Sequence, residues 1–326
     1  MMERAKRIGV LMGGWGEERE ASMRTGEALA QALEAKGHPV VRLFAGNALD
    51  TSLREAAVDV AVLALHGRMG EDGRVQGLLE VMGIPYTGSG VLASALAMNK
   101  GFAKKLFRQH NLATPTGYVV SAARLGDAPA LHADLGFPCV VKPANGGSSV
   151  GLTLVHTREQ LEPALQLACR YGGEALVERF VKGKEVTVAI LDGRVLGACE
   201  VSHDGSVYDA SSKSEGTARA HVPPRLPQTR LANLEQMALT AARALGCRGA
   251  VRVDFIVPEV GNEVVLEVNT LPGFTRTSLF ARIAKAAGVP FEDLVEQLVA
   301  GARVDGAHVH EAPEVTAPVE VQAHAG

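Results

Sequence analysis

The sequence of 326 residues has little net charge, few cysteines and no long apolar run. Its 33 basic residues nearly balance its 36 acidic residues, so the charge does not favour a nucleic acid or an anionic membrane as a partner. The apolar run at residues 8–12 is too short for a signal peptide, and no apolar stretch is long enough to span a bilayer. We therefore expect a cytoplasmic protein that binds small molecules.

Cysteine is rare, and its spacing argues against two kinds of site. The four residues Cys139, Cys169, Cys199 and Cys247 are far apart, and they form neither a Cys-x-x-Cys pair nor a zinc-like spacing with histidine. We expect buried free thiols in a reducing compartment. With 47% hydrophobic residues, the chain should form two or three compact domains.

Common nucleotide-binding motifs are absent or incomplete. The P-loop pattern G-x-x-x-x-G-K-[ST] does not occur, and residues 88–93 match a dinucleotide fingerprint without the acidic residue expected about twenty positions later. We interpret these glycines as the start of a helix that runs to about residue 108. On this helix Lys100, Lys104 and Lys105 are expected to be mostly solvated, with Lys100 the best candidate for a function.

Strands and helices alternate at the start of the chain. The pattern predicts strands at residues 7–12, 39–44 and 58–65 and a helix at residues 22–35. This order is typical of a parallel α/β unit, in which the carboxyl ends of the strands open onto one crevice. The loops that follow the first and last strands carry Glu18 and His66 among glycines, which suits a ligand with an amine and a carboxylate. Two solvated turns are the alternative.

A lysine and a loop of small residues indicate a phosphate site in the second unit. Lys142 lies in a predicted strand at 139–143, and the loop 145–151 offers backbone N–H groups and hydroxyls of the kind that hold a triphosphate. An ordinary hairpin loop is the alternative. After a helix at 157–170, the extended edge at 178–181 could pair with a purine ring, although Glu178 and Glu185 could each be surface carboxylates.

Further strands are predicted at 175–181, 185–191 and 194–202, with a hairpin turn at Asp192-Gly193. The polar stretch 203–227, which contains Lys213, is expected to be a lid or a disordered loop. A helix at 233–245 follows it.

A hairpin near the end of the chain carries two opposed acids. Alternation along strand 251–255 places Arg252 and Asp254 on one face. Alternation along strand 266–269 places Glu267 and Asn269 on one face and Leu266 and Val268 on the other. If the turn is centred on residues 260–261, Asp254 faces Glu267. Opposed carboxylates repel unless a cation lies between them, and oxygen ligands of this kind suit Mg²⁺. A hairpin with one solvated face is the alternative.

Several ordered motifs together resemble the D-alanine–D-alanine ligases of the ATP-grasp superfamily, over residues 7–301. These motifs are GG at 13–14 with EREAS at 18–22, HG at 66–67 with GEDGRVQG at 70–77, YTGSG at 86–90, NK at 99–100, VKP at 141–143 with GSSVG at 147–151, RVD at 252–254, and EVNT at 267–270 with PG at 272–273 and TSL at 277–279. The resemblance implies a Rossmann-like parallel α/β domain followed by a two-part ATP-grasp fold of the α+β kind with antiparallel sheets. The expected ranges are a substrate-binding domain at 1–97, a central ATP-grasp subdomain at 98–181, a catalytic and metal-binding subdomain at 182–302 and a disordered tail at 303–326.

The resemblance also implies an activity: ATP-dependent joining of two D-alanine molecules through a D-alanyl phosphate, in peptidoglycan precursor synthesis. It assigns two Mg²⁺ or Mn²⁺ ions to Asp254, Glu267 and Asn269, and nucleotide binding to Lys100, Lys142, Glu178, Phe180, Val181, Glu185 and Lys213. It assigns catalytic or substrate-binding roles to Glu18, His66, Ser148, Ser214, Arg252, Gly273, Ser278 and Leu279. In that family Arg252 would stabilise the tetrahedral oxyanion, and a homodimer is usual.

The sequence departs from the family pattern in the lid. The family motif reads Tyr-Asp-Tyr-x-x-Lys-Tyr, whereas residues 208–214 read Tyr-Asp-Ala-Ser-Ser-Lys-Ser. Ser214 therefore replaces a tyrosine that is linked to the choice of second substrate. A ligase that uses D-lactate or D-serine is one alternative, and a non-catalytic nucleotide-binding protein of the same fold is another. A smaller departure is Gly16, where serine is usual.

Overall fold

The computed structural model of the protein describes residues 6–132, 134–147, 150–202 and 219–305. Three sheets organise this part of the chain. The first is parallel, and the second and third are antiparallel.

The N-terminal sheet is the parallel α/β unit that the sequence predicts. Its strands are β1 (Ile8–Gly13), β2 (Val40–Ala45) and β3 (Val60–Leu63), in the order β2-β1-β3. Its helices are α1 (Arg19–Ala35), α2 (Leu49–Glu55), α3 (Arg74–Met82) and α4 (Val91–Met98). The β1 residues are all buried because the strand is central in the sheet and covered on both faces. The carboxyl ends of β1 and β3 therefore lie side by side.

The sequence predicts one helix from the glycines at 88–90 to residue 108. This prediction is wrong in one respect, because the segment forms two helices. Asn99 adopts an extended conformation and ends α4, and its side chain accepts a hydrogen bond from the N–H of Phe102 at 3.0 Å. Helix α5 (Lys100–Gln109) therefore starts with Asn99 as its N-cap. The break reorients α5, which packs on the third sheet instead of continuing along the first domain.

The central sheet is antiparallel. Its strands are β4 (Gly117–Ser121), β5 (Cys139–Pro143), β6 (Thr153–Val155) and β7 (Glu174–Arg179), in the order β4-β7-β5-β6. The short helix α6 (Ala128–His132) and the longer α7 (Arg158–Gly172) belong to this unit. Thr157 and Gln160 form a capping box that starts α7, and the apolar face of this helix packs on β5 and β7.

The third sheet carries the predicted acidic hairpin. Its strands are β8 (Lys184–Leu191), β9 (Arg194–Ser202), β10 (Arg219–His221), β11 (Ala250–Val257) and β12 (Val264–Asn269), in the order β10-β9-β8-β11-β12. Helices α8 (Gln228–Ala244) and α9 (Leu279–Ala286) pack on this sheet, and α10 (Phe291–Ala300) packs on α1 and α9. Asp192 and Gly193 both have positive φ angles, of 45° and 77°, as a tight hairpin turn requires.

Two expectations about irregular segments need correction. The stretch 203–227 was expected to be a loop throughout, but Arg219–His221 pairs with β9 as strand β10, because the edge of β9 offers backbone partners. The tail was expected to begin at residue 303, yet Arg303 exchanges backbone hydrogen bonds with Tyr86 and the N–H of Asp305 donates to Glu80. Residues 203–218 and 306–326 lie outside the described residues.

The cysteines form no disulfides among the described residues. All four cysteines are free thiols, three of them buried and Cys247 partly exposed. Within the described ranges, no helix has both the length and the apolar character needed to cross a bilayer.

Candidate active site

The acidic hairpin pairs as predicted. In the antiparallel ladder between β11 and β12, Asp254 lies directly opposite Glu267, and Arg252 lies opposite Asn269. The register shifts after Asp254, so that Phe255 pairs with Val265 and the bulge falls at Leu266. The prediction that Leu266 belongs to the apolar face is therefore wrong, since the extra residue lines the cavities described below.

Arg252 and Asp254 form a bidentate ion pair on one face of β11. The Nε and Nη2 atoms of Arg252 donate to the two oxygens of Asp254 at 2.9 and 2.8 Å. The hydroxyl of Thr187 on β8 donates to the same carboxylate at 2.6 Å. Burial disfavours the charge of Arg252, but the attraction of Asp254 outweighs it, so the pKa of the guanidinium is raised.

Lys100 joins the hairpin to the loop of small residues. Its Nζ atom lies 3.3 Å from Glu267 and donates to the carbonyl of Gly146. The backbone N–H of Lys100 donates to the carbonyl of Ala144 at 2.9 Å. Because α5 starts after the break at Asn99, its first residue contacts both the acidic hairpin and the loop of small residues.

Lys142 belongs to a buried ionic group with Glu178 and Lys104. One oxygen of Glu178 is 2.7 Å from Lys142 Nζ, and the other is 2.5 Å from Lys104 Nζ. All three side chains are almost fully buried, so the expectation that Lys104 is solvated is wrong. Glu178 is likewise not a surface carboxylate. A signal for Lys104 was present in the sequence, since it shares the buried face of α5 with Ala103 and Phe107.

Glu18 lies where the first domain meets the loop of small residues. It directly precedes α1, where the helix dipole favours a negative charge. A methyl group at Gly67 would overlap its carboxylate, and a Cβ at Gly147 would lie 3.7 Å from its Oε1 atom. The structure thus brings together Glu18, the loop after β3 and the loop after β5, which are far apart in sequence.

His66 is held by α1. Its Nε2 atom is 3.0 Å from the hydroxyl of Thr25. Ser22, one turn earlier, accepts from the N–H of Gly13 and donates to the carbonyl of Ala64, which fixes α1 at the ends of β1 and β3. Burial, and next the positive charge of Arg252, lower the pKa of His66 to about 4. The imidazole is therefore neutral at physiological pH.

Sequence reasoning missed Glu71. This carboxyl group is buried, accepts a hydrogen bond from the N–H of Gly67 at 2.6 Å, and would lie 2.7 Å from a Cβ at Gly147. Burial, and next the charge of Glu18, raise the pKa of Glu71 to about 8. Glu71 lies within the motif at 70–77, but a single sequence does not show that this carboxyl group is buried, because its burial depends on other elements.

Glu200 on β9 was also missed. Its buried carboxylate accepts hydrogen bonds from Lys184 Nζ at 3.2 Å, from the N–H of Arg225 at 3.0 Å and from Arg225 Nη2 at 2.6 Å. These bonds tie the chain after residue 218 to the sheet. Glu200 therefore holds Arg225 against the sheet.

Two adjoining cavities lie between the central and third sheets. The acidic cavity has a volume of about 320 Å³ and is lined by residues that include Lys100, Arg252, Asp254, Glu267, Asn269 and Leu279. The apolar cavity has a volume of about 520 Å³ and is lined by residues that include Leu154, Phe180, Val181 and Ile256. Lys142, Glu185 and Leu266 line both, so one continuous cleft has an apolar end and a charged end.

The remaining predicted residues lie in different places. Ser278 is the N-cap of α9 and its hydroxyl accepts from the N–H of Ala281 at 3.3 Å, while Leu279 follows it into the acidic cavity. Gly273 has open space around it, so sterics do not require glycine there. Ser148, Lys213 and Ser214 lie outside the described residues.

Comparison with known proteins shows which family the chain resembles. Family models described as the N-terminus and the C-terminus of D-ala D-ala ligase match residues 46–89 and 108–300. A D-alanine–D-alanine ligase of Anaeromyxobacter dehalogenans is 49% identical over 298 residues, which cover 91% of this chain and 97% of the relative.

Solved structures show the same likeness. The D-alanine–D-alanine ligase from Bacillus anthracis, complexed with ATP, matches with a TM-score of 0.79 and 33% identity over 91% of this chain and 97% of that chain. The VanG D-Ala:D-Ser ligase from Enterococcus faecalis matches with a TM-score of 0.80 and 27% identity over 91% and 99%. The fold is thus that of the ATP-grasp ligases, which confirms the predicted fold class. The chain belongs to the D-alanine–D-alanine ligase family, as the motifs indicated.

Proposed function

We propose that this protein is an ATP-dependent ligase that joins two D-alanine molecules to give D-alanyl-D-alanine, ADP and phosphate, for peptidoglycan precursors. The observation that carries the proposal is the continuous cleft, in which an apolar end leads past Lys142 to a cluster of oxygen donors. An adenine ring suits the apolar end, and a polyphosphate suits the lysine-lined passage. The 49% identical relative carries this activity in its name.

The donors at the charged end fit divalent cations. Asp254 and Glu267 are directly opposed and Asn269 is two residues beyond Glu267, so the set contains only oxygen ligands and two carboxylates. Such a set is typical for Mg²⁺ and Mn²⁺ bound together with phosphate oxygens. We assign two ions to these three residues. When bound, they would neutralise phosphate charge and polarise the γ-phosphoryl group.

The first chemical step joins a D-alanine carboxylate to phosphorus. A carboxylate oxygen attacks the γ-phosphorus of ATP, the bond to the bridging oxygen of ADP breaks, and a D-alanyl phosphate results. Lys142 and Lys100 lie beside the phosphate path, where they can hold its negative charge. Glu18 can bind the ammonium group of this D-alanine, and neutral His66 would contribute to the same site, to which the family resemblance also assigns Ser148. Positioning of this kind accounts for most of the catalysis in phosphoryl transfer.

The second step forms the peptide bond. The amine of another D-alanine attacks the acyl carbon and the carbonyl oxygen becomes negative in a tetrahedral intermediate. The nitrogen then loses a proton to solvent, and the bond from the acyl carbon to the phosphate oxygen breaks as the carbonyl re-forms. Arg252 lines the same cavity, and its guanidinium is oriented by Asp254 so that it can stabilise this oxyanion. Ser278, Leu279 and Gly273 would receive the second substrate.

The remaining residues would bind different parts of the ATP molecule. Phe180 and Val181 would contact the adenine, Glu185 would bind the ribose, and Glu178 would hold Lys142 in place. Lys213 would contact the γ-phosphate, and Ser214 would belong to the substrate-binding residues.

The alternatives are not favoured. D-lactate or D-serine as second substrate rests on Ser214 alone, and the relative named as a D-Ala:D-Ser ligase is 27% identical, against 49% for the D-alanine–D-alanine ligase. A non-catalytic protein would not need Arg252 beside the complete oxygen-donor set. We further propose that the enzyme is cytoplasmic, which cell fractionation would test, and that it acts as a homodimer, which light scattering of the purified protein would test.

Purified enzyme with ATP, Mg²⁺ and D-alanine tests the activity. We expect stoichiometric release of phosphate and D-alanyl-D-alanine, identified by mass spectrometry, and no phosphate release with L-alanine. Parallel reactions with D-alanine plus D-lactate or D-serine measure acceptor choice. Product formation with D-lactate or D-serine, but not with D-alanine alone, would overturn the proposal.

A further inference from the structure

Lys104 is buried beside the nucleotide cleft but lines neither of its cavities. The residue is 2% exposed, and its Nζ atom contacts Glu178 at 2.5 Å and donates to the hydroxyl of Thr114 at 2.7 Å. That hydroxyl in turn donates to the carbonyl of Val265 on β12 at 2.8 Å. Lys104 therefore connects α5, β7 and β12 at one buried point.

Glu178 is shared by two lysines. Lys104 takes one carboxylate oxygen, and Lys142, which faces the cleft, takes the other at 2.7 Å. Burial lowers the pKa of Lys104 to about 8, so at pH 7 the group holds two ammonium ions and one carboxylate and carries a net positive charge. Charges near these atoms are weakly screened because all three side chains are almost fully buried.

Removal of Lys104 would lower the net positive charge that a phosphate meets at Lys142. Glu178 and Lys142 alone form a neutral pair, in which the negative charge of Glu178 acts on Lys142 without a second cation to offset it. A polyphosphate at the junction of the two cavities would then meet a neutralised lysine. With Lys104 present, the charge of Glu178 is already balanced from the side away from the cleft.

We propose that Lys104 is a positioning residue for ATP: it neutralises Glu178 from behind, so that the charge of Lys142 remains available to the nucleotide phosphates. The inference rests on the proposed function, because it assumes that ATP occupies the cleft. Lys104 itself touches no substrate. Its effect should therefore appear in nucleotide affinity, whereas the chemical step and the binding of D-alanine should be nearly unchanged.

The test compares Lys104→Met with Lys105→Met. Both variants lose one positive charge from adjacent positions of α5, but Lys105 is exposed and its ammonium lies over the ring of Phe102. We expect Lys104→Met to raise KM for ATP, and the dissociation constant of a non-hydrolysable ATP analogue measured by calorimetry, about 10- to 100-fold. Values of kcat and KM for D-alanine should stay within about threefold of wild type, and Lys105→Met should match wild type throughout.

A double-mutant cycle separates charge balance from packing. Lys104→Met combined with Glu178→Gln removes the carboxylate that would otherwise hold Lys142, so the loss of analogue affinity in the double variant should be smaller than the product of the two single losses. Independent losses that simply multiply would overturn the inference. So would a Lys104→Met enzyme with unchanged analogue affinity, or one that loses affinity for ATP and D-alanine equally as its melting temperature falls.

The inference can still be tested if Lys104→Met does not fold or if the wild-type protein is inactive. If Lys104→Met does not fold, Thr114→Val removes one acceptor of Lys104 and should raise KM for ATP by a smaller factor, with Thr114→Ser as the matched control. An unchanged KM in Thr114→Val would then count against the inference. If the wild-type protein makes no dipeptide, the proposed function fails, while the analogue-binding comparison still decides the role of Lys104.

Discussion

Arg252 and Asp254 are two residues apart on β11 and bind each other through both guanidinium nitrogens that face the carboxylate, at 2.9 and 2.8 Å. The pair couples a proposed oxyanion donor to a proposed metal ligand. A change at either residue should therefore affect both functions, although to different extents.

Arg252→Lys should lower kcat about 10²- to 10³-fold with little change in KM for ATP. A lysine keeps the charge but cannot make the bidentate contact that orients the donor. Stopped-flow or coupled measurement of phosphate release checks this, and a circular dichroism melt of the variant shows whether it is folded. A folded Arg252→Lys or Arg252→Ala enzyme with full activity would refute the assigned role.

Asp254→Asn should raise the Mg²⁺ concentration needed for half-maximal activity by at least about tenfold. The substitution removes one of two opposed carboxylates and also deprives Arg252 of its partner. Titration with Mg²⁺ after treatment with a chelator measures the shift. Glu259→Gln is the matched control, because it removes an exposed acid from the turn of the same hairpin and should leave the titration unchanged.

Glu71→Gln should remove a pH dependence of stability. Burial raises the pKa of Glu71 to about 8 in the native state, whereas the unfolded chain releases this proton near the ordinary glutamate pKa of 4.5. The unfolded state therefore gains stability as pH rises between these values, and the wild type should lose on the order of 3–5 kcal/mol of unfolding free energy that the variant does not lose.

Urea unfolding of wild type and Glu71→Gln at pH 5 and pH 8.5 measures this difference. Glu55→Gln, which removes an exposed acid on α2, is the control and should follow the wild type. Parallel pH profiles for wild type and Glu71→Gln would show that Glu71 is ionised in the native state.

Ser278 can be tested for a role beyond helix capping. Ser278→Ala should destabilise the protein by about 1 kcal/mol, because the N–H of Ala281 loses its acceptor. Ser278→Asn restores a good N-cap and should recover that stability. If the hydroxyl also binds the second D-alanine, the asparagine variant will keep a raised KM for D-alanine; recovery of both quantities would restrict Ser278 to capping.

Much of the site could be predicted because it depends on local patterns. The pairing of Asp254 with Glu267 follows from the alternation of two strands and the position of one turn, and the neighbourhood of Glu18 and His66 follows from parallel strand ends. Where local patterns were insufficient, the predictions were wrong: Asn99 ends a helix in the middle of a helical pattern, and a bulge moves Leu266 to the other face. The roles assigned to individual residues stay predictions.

The sequence by itself determined the family, the order of strands and helices in the first domain and the opposed acids, because motifs and periodicities are properties of neighbouring residues. Tertiary structure alone decided that Lys104 and Lys142 share Glu178, that Glu71 holds a proton against Glu18, and that two cavities join at Lys142. The physical reason is that burial and electrostatic energy depend on what distant elements pack around a group, and no local pattern records those neighbours.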